Sequence, residues 1–234
     1  MLAIYKREMR AYFTSPVGYI FMVVFLAASG FLFGFSTLLS NTADVTLYYQ
    51  MLMFAYVVII PLLTMKTFSE ERRTRTEQVL LTAPVSLTGM VLAKFFAALS
   101  VFASTLIVSG LYFYPLSLYG TVNGPRVFGS MFAMFLIGMT FVAIGIFVSS
   151  LTENQFAASL GTIAILLALM VVAMLNSLID SYVVRAVLSW ISVFSRYSYF
   201  TYGIFDIAAV VYYVSICVIF LFLAVRVFEK RRWS

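Results

Sequence analysis

Charged and apolar positions fall into long separate blocks along the chain. No Asp, Glu, Lys or Arg occurs from Ala11 to Ala43, Val45 to Met65, Phe95 to Pro125, Val127 to Thr152, Asn154 to Ile179 or Ile207 to Val225. Crossing a hydrocarbon core takes about 20 apolar residues in a helix. Each block meets that need, so the pattern predicts six transmembrane helices: about Val17–Leu39, Leu47–Met65, Val91–Tyr114, Val127–Ser150, Phe156–Leu175 and Ile207–Val227. Spanning β-strands would show ~10-residue segments of alternating polarity instead. The first run is too long, and begins too far from Met1, for the apolar region of a cleaved signal peptide. The expected fold class is all-α: one polytopic membrane domain over residues 1–234, with loops too short for a second domain.

Three shorter pieces carry patterns of their own. Leu2, Tyr5, Met9 and Tyr12/Phe13 recur at helical spacing opposite Lys6, Arg7 and Arg10. This describes an amphipathic helix in the headgroup layer, stopped by Ser15-Pro16; the plainer reading is a basic flank that only sets topology. Between the second and third spans, Ser69 is a candidate N-cap, followed by Glu70 and Glu71 in a first turn whose dipole favours acid. Glu71 with Arg75 and Arg73 with Glu77 stand at i,i+4 spacing. Val79, Leu80 and Leu81 form an apolar end before Pro84, and Ser86 or Thr88 is placed to cap the third span. A capped, charge-paired helix with an apolar tip suits docking on a partner, whereas a solvated loop needs none of these features. The third piece, Asn176 to Asp206, is too polar to span and too long for a turn. It holds Asp180, Arg185 and Arg196 among Tyr182, Trp190, Phe194, Tyr197, Tyr199, Phe200, Tyr202 and Phe205. Aromatics at this density anchor interfacial helices; a substrate exit rim is the sharper reading.

Composition narrows the chemistry. Of the 234 residues, 63% are hydrophobic and 10% charged, against about a quarter charged in soluble domains. With no histidine and one cysteine, histidine bases, histidine metal sites and internal disulfides are excluded. Twelve of the 15 Lys and Arg residues fall on the side where the chain begins, and Arg126, Arg185 and Arg196 fall on the other. The positive-inside rule therefore predicts cytoplasmic termini. The net charge of +6 follows mostly from that bias, and no basic face outside the membrane flanks favours nucleic acid.

The predicted spans contain no mid-membrane charge of the kind that marks ion paths. Small residues recur instead: Gly30 with Gly34, Ser100 with Ser104, Ala157 with Gly161, and Gly138 with Gly145. They point to close helix packing within the bundle or between subunits. Pro61 is positioned to kink the second span, and Cys217 reads as an apolar residue of the sixth. No phosphate-binding G-x-x-x-x-G-K-[ST] motif occurs, so any ATP hydrolysis belongs to another chain.

At Thr67-Phe-Ser-Glu-Glu-Arg72, with Thr76-Glu-Gln-Val-Leu-Leu-Thr-Ala-Pro-Val-Ser86 and Lys94, the chain resembles the ABC-2 type permeases of ABC transporters. Ser149-Ser-Leu-Thr-Glu-Asn-Gln155, Phe194-Ser-Arg-Tyr-Ser-Tyr-Phe-Thr-Tyr-Gly-Ile-Phe-Asp206 and the Arg231-Arg-Trp233 end look like the gliding-motility-associated branch, itself similar to copper-site-maturation permeases. The resemblance implies a half-transporter in a bacterial cytoplasmic membrane. It would pair with a second permease, with two copies of an ATP-binding subunit that hold ATP and Mg, and with an extracytoplasmic auxiliary subunit. It also implies that Glu70, Glu71, Arg72, Arg75, Glu77, Leu80, Leu81 and Pro84 lie in or beside a coupling helix. Glu153 and Asn154 would make a second cytoplasmic contact, and Lys6, Arg7 and Arg10 belong to an interfacial elbow. Arg185, Trp190, Arg196, Tyr199 and Asp206 belong to the outer interfacial segment. The expected function is ATP-coupled export or outward force transmission, with no catalytic residue, metal or cofactor in this chain. Two other classes remain open: an ATP-independent secondary transporter or channel, and a scaffold that recruits an ATPase.

Overall fold

The computed structural model describes residues 1–40, 44–76, 86–119, 123–178, 192–201 and 205–232. Among these the structure is helical throughout, with no strand. Helix α1 (Leu2–Thr14) ends at Ser15, which is extended, and Pro16 then opens α2 (Pro16–Phe33), as the Ser-Pro pair predicts. The first span closes in a π-turn, Gly34–Leu38. The second span is α3 (Thr46–Thr64), and a short helix, α4 (Ser69–Arg73), follows it. Helix α5 (Leu87–Ser109) continues through a 3₁₀ turn into α6 (Phe113–Tyr119). Helices α7 (Gly124–Leu151) and α8 (Gln155–Leu178) form the fourth and fifth spans. After the short α9 (Ser198–Thr201), α10 (Ile207–Arg232) is the sixth. Six helices are long and apolar enough to cross a membrane, each at its predicted place with ends shifted by a few residues.

The spans are not equivalent. In the most apolar stretch of α7, 72% of residues are buried; in α8 the figure is 22%. Helix α7 is the central post, packed against α3, α5, α8 and α10. Two glycines set its distances. A Cβ at Gly138 would overlap the Phe102 ring of α5, and one at Gly145 would overlap Thr64 of α3. Gly161 of α8 lies against Val148 of α7. These small residues therefore serve packing within the bundle. Gly34 differs: it sits in the π-turn with nothing among the described residues in reach of a Cβ, so of the Gly30/Gly34 pair only Gly30, against Tyr112, is a packing position there.

Helix α1 packs on α5 and α2 rather than lying apart. Tyr12 is buried, Tyr5 and Met9 rest on the core, and the Tyr5 hydroxyl lies 3.0 Å from that of Ser100. Leu2 and Phe13 stay exposed. Gly18 admits this approach, because a Cβ there would meet the Tyr12 carbonyl. Pro61 is buried inside α3, and Cys217 faces the core.

Candidate functional site

Charged side chains gather at the end of the bundle where both termini lie. Helix α3 finishes at Thr64, and the chain turns sharply through Met65–Phe68 into α4. Ser69 was the expected N-cap, but it is the first helical residue; Phe68 holds the cap position, and no side chain of the loop itself caps the helix. The Ser69 hydroxyl donates back to the Met65 carbonyl. The capping acceptor comes from another helix: the Ser149 hydroxyl accepts from the backbone N–H of Phe68 (3.1 Å) and of Ser69 (3.2 Å). It lies 3.2 Å from the Met65 carbonyl, to which it donates. These groups are buried, so each missing bond would leave an unpaired donor in a dry site.

A second correction concerns the charge pairs. Helix α4 ends at Arg73, and Arg75 has φ 57°, in the left-handed region. The helical ladder expected between Glu71 and Arg75 therefore does not form. Glu71 instead turns inward. Lys94 of α5, only 1% exposed, places Nζ 2.9 Å from Glu71 Oε1 and 3.1 Å from Glu8 Oε1. The same ammonium donates to the Thr67 carbonyl at 2.9 Å and lies 5.0 Å from the Phe68 ring centre. Arg7 closes the cluster, with Nη2 at 2.7 Å from Glu8 and 2.8 Å from Glu71. Burial opposes the Arg7 charge, but the two carboxylates outweigh it and raise its pKa. The four charges cancel, which a buried ammonium requires. They join α1, α4 and α5 in one contact.

The other flank of α4 is tied to the turn between α7 and α8. Arg72 Nε lies 2.9 Å from Glu153, and its Nη1 donates to the Leu151 carbonyl at 2.8 Å. Arg231 of α10 donates to the Ser150 carbonyl at 2.6 Å. Two guanidinium groups thus satisfy carbonyls left open at the end of α7. Asn154 caps α8, its Oδ1 accepting from the N–H of Phe156 (2.9 Å) and Ala157 (3.4 Å). Phe68 packs against Phe228 of α10 with the rings tilted by 49° and their centres 4.6 Å apart. At the third span, Ser86 is the N-cap, accepting from Gly89 N–H at 3.2 Å.

The expected docking residues therefore divide. Glu71 and Arg72 hold the loop in place, whereas Arg73 and Arg75 are exposed and Glu70 is half-buried. Glu77, Leu80, Leu81 and Pro84 lie outside the described residues. Of the elbow, Arg7 joins the charge cluster, while Lys6 and Arg10 stay exposed. At the opposite end, Arg185 and Trp190 lie outside the described residues, as does the side chain of Tyr199. Arg196 stacks over Tyr212 with its guanidinium carbon 4.5 Å from the ring centre. Asp206 Oδ1 accepts from Ala208 N–H at 2.9 Å at the start of α10.

Sequence reasoning missed Glu8 and Ser149. Glu8 had a signal, being the one acid inside the basic N-terminal run. Lys94 had another: it is the only charge between Ser86 and Pro125. Ser149 had none, because a serine near a helix end says nothing about a backbone it meets from 80 residues away.

A six-span bundle whose charge is confined to its ends, and chiefly to the one that carries both termini, defines a multi-pass membrane protein. The chain belongs to the ABC-2 family transporter proteins, whose family model matches residues 2–233. No curated protein matches the chain. Members of this family are membrane subunits of ABC transporters and work with an ATP-binding subunit.

Proposed function

We propose that this permease subunit converts nucleotide-dependent movement of a separate ATP-binding subunit into movement of its spans. The observation that carries the reading is the anchorage of α4. Lys94 ties it to the third span, and Ser149 and Arg72 tie it to the end of the fourth. A push on α4 is then delivered to several spans at once, as a two-state element requires. Two copies of the partner hold ATP and Mg and perform the hydrolysis; this chain contributes no catalytic residue. The charged end faces the cytoplasm of a bacterial cell, and a second permease completes the pore, joined by an extracytoplasmic subunit.

The docking surface combines exposed Arg73 and Arg75 with Glu70, Glu77, Leu80, Leu81 and Pro84, and Glu153 with Asn154 gives the second contact. Lys6, Arg7 and Arg10 seat the elbow at the inner surface. Resemblance to the gliding-motility branch favours outward force transmission alongside export. Charge reversal of Arg73 and Arg75 together tests the coupling, because neither is needed to hold the loop. The expected result is an intact bundle that retains the ATP-binding subunit poorly and no longer controls its ATPase rate. Wild-type retention and rate in that variant would refute the docking assignment.

A further inference from the structure

Helix α1 sends its cations in two directions. Arg7 turns inward to Glu8 and Glu71 and fastens the helix to the loop after the second span. Lys6 and Arg10 are exposed, and neither forms an ion pair among the described residues. Glu8 and Glu71, the acids that α1 carries or meets, are already taken by Arg7 and Lys94. Two cations one helical turn apart are thus left facing outward without a counter-charge.

Their surroundings indicate what supplies one. At 3.6 residues per turn, Leu2, Lys6, Arg10 and Phe13 share one side of α1, and all four are exposed, away from the Tyr5 and Tyr12 face that packs on the bundle. Thr14 ends α1, Ser15 is extended and Pro16 opens the first span, so this strip lies at headgroup depth. Phe13 meets Tyr19 edge to face across the bend, ring centres 6.0 Å apart. From Tyr19, exposed Ile20 and Val23 continue down α2. An apolar track therefore begins beside Lys6 and Arg10 and descends into the bilayer. Arg226 of α10 offers a contrast at the same end of the bundle. It lies over the Phe222 ring, but Glu229 already pairs with it at 2.7 Å.

We propose that the outward strip of α1 binds an anionic phospholipid, with the phosphate between Lys6 and Arg10 and the acyl chains along Phe13, Tyr19 and Ile20. Lys6 brings three N–H donors on a point charge, and Arg10 a planar fork that takes two oxygens of one phosphate. A choline lipid brings its own cation to the strip and carries no net charge to neutralise Lys6 and Arg10, so the strip selects net negative charge. Because Arg7 ties the same helix to Glu71, a lipid that holds α1 also holds the loop. The site rests on the reading of α1 as an interfacial elbow and not on docking of an ATPase.

Native mass spectrometry of the purified full chain tests this, using phosphatidylglycerol and phosphatidylcholine of identical acyl chains. The wild type is expected to retain the glycerol lipid in preference. Lys6→Gln and Arg10→Gln should each cut that preference about fivefold, the ratio one basic residue at a membrane surface supplies. Choline-lipid retention should stay unchanged, which reports that the variants fold. Arg226→Gln removes an exposed charge that is already paired and should leave the preference as it is. Equal retention of the two lipids by the wild type, or an unchanged preference in both α1 variants, would overturn the proposal. So would an equal loss in all three variants, which would show a diffuse positive field instead of a site. Displacement of the lipid by millimolar inorganic phosphate would also overturn it and assign the cations to a soluble anion. Lost lipid preference with ATPase control intact breaks this proposal alone. Wild-type ATPase control after reversal of Arg73 and Arg75, with lipid preference intact, breaks the proposed function alone.

Discussion

The two ends of the bundle are held by different forces. At the charged end, ammonium, guanidinium, carboxylate and hydroxyl groups meet one another or backbone atoms at 2.6–3.2 Å across five helices. At the opposite end, rings meet rings. Phe33, Tyr48 and Phe113 pack with centres 5.6–5.8 Å apart, and Phe132 lies 4.9 Å from Phe205. Directional bonds fix the relative position of the elements they join, whereas aromatic contacts draw mostly on buried area and accept a range of centre-to-centre distances. The charged end is thus pinned by directional bonds, and the aromatic end is held mainly by buried area.

The strongest way to break this contrast is at Lys94. Replacing it with Met removes the buried cation that Glu8 and Glu71 share and leaves them only the half-exposed Arg7; breaking a buried pair costs about 3–5 kcal/mol. The expected outcome is a large fall in the thermal unfolding temperature of the detergent-solubilised chain. Tyr213→Phe, at the aromatic end, removes a single 2.7 Å bond to the Val193 carbonyl and should cost about 1 kcal/mol. If the two variants melt alike, the contrast between the ends fails.

Ser149→Ala is expected to be intermediate, at about 1–3 kcal/mol, because it leaves the Phe68 and Ser69 N–H groups unpaired in a buried site. Hydrogen exchange at those two amides should accelerate while amides in α7 stay protected. Arg72→Ala should do less. The Glu153 side chain is 60% exposed, and such pairs contribute about 0–1 kcal/mol and weaken with salt. Added salt should narrow the difference between this variant and the wild type.

The smallest effect belongs to Asp44, at the start of α3. Hydrogen bonds from the Thr46 hydroxyl (2.6 Å) and N–H (3.0 Å) lower its pKa from the ordinary 3.8. A lowered folded-state pKa gives stability that is present above the ordinary value and lost as pH falls through the depressed one. The wild type should therefore lose slightly more unfolding temperature than Asp44→Asn between pH 6 and pH 3. An equal loss would remove Asp44 from the groups that fasten this end.

The six spans were legible because one physical requirement, excluding charge from hydrocarbon over about 20 residues, acts on contiguous sequence. The break at Ser15-Pro16 and the cap at Ser86 were legible for the same reason: each is a local preference of the residue itself. The loop between the second and third spans was only half legible. Its acidic first turn and basic last turn are present in α4. The direction in which Glu71 points was not, because Arg75 at i+4 and Lys94 at i+23 compete for one carboxylate, and local spacing favours the wrong partner.

What the sequence determined alone was the class of molecule: an all-helical membrane protein with six crossings and its charge gathered on one side. Spanning, capping and charge exclusion act over one to a few turns, so they are written in neighbouring residues. The tertiary structure decided which charges are structural and which are free, that a serine of the fourth span caps α4, and that α1 is bound to the loop between the second and third spans. Each depends on groups brought together from distant parts of the chain. Their low-dielectric contacts exist only after the helices have packed.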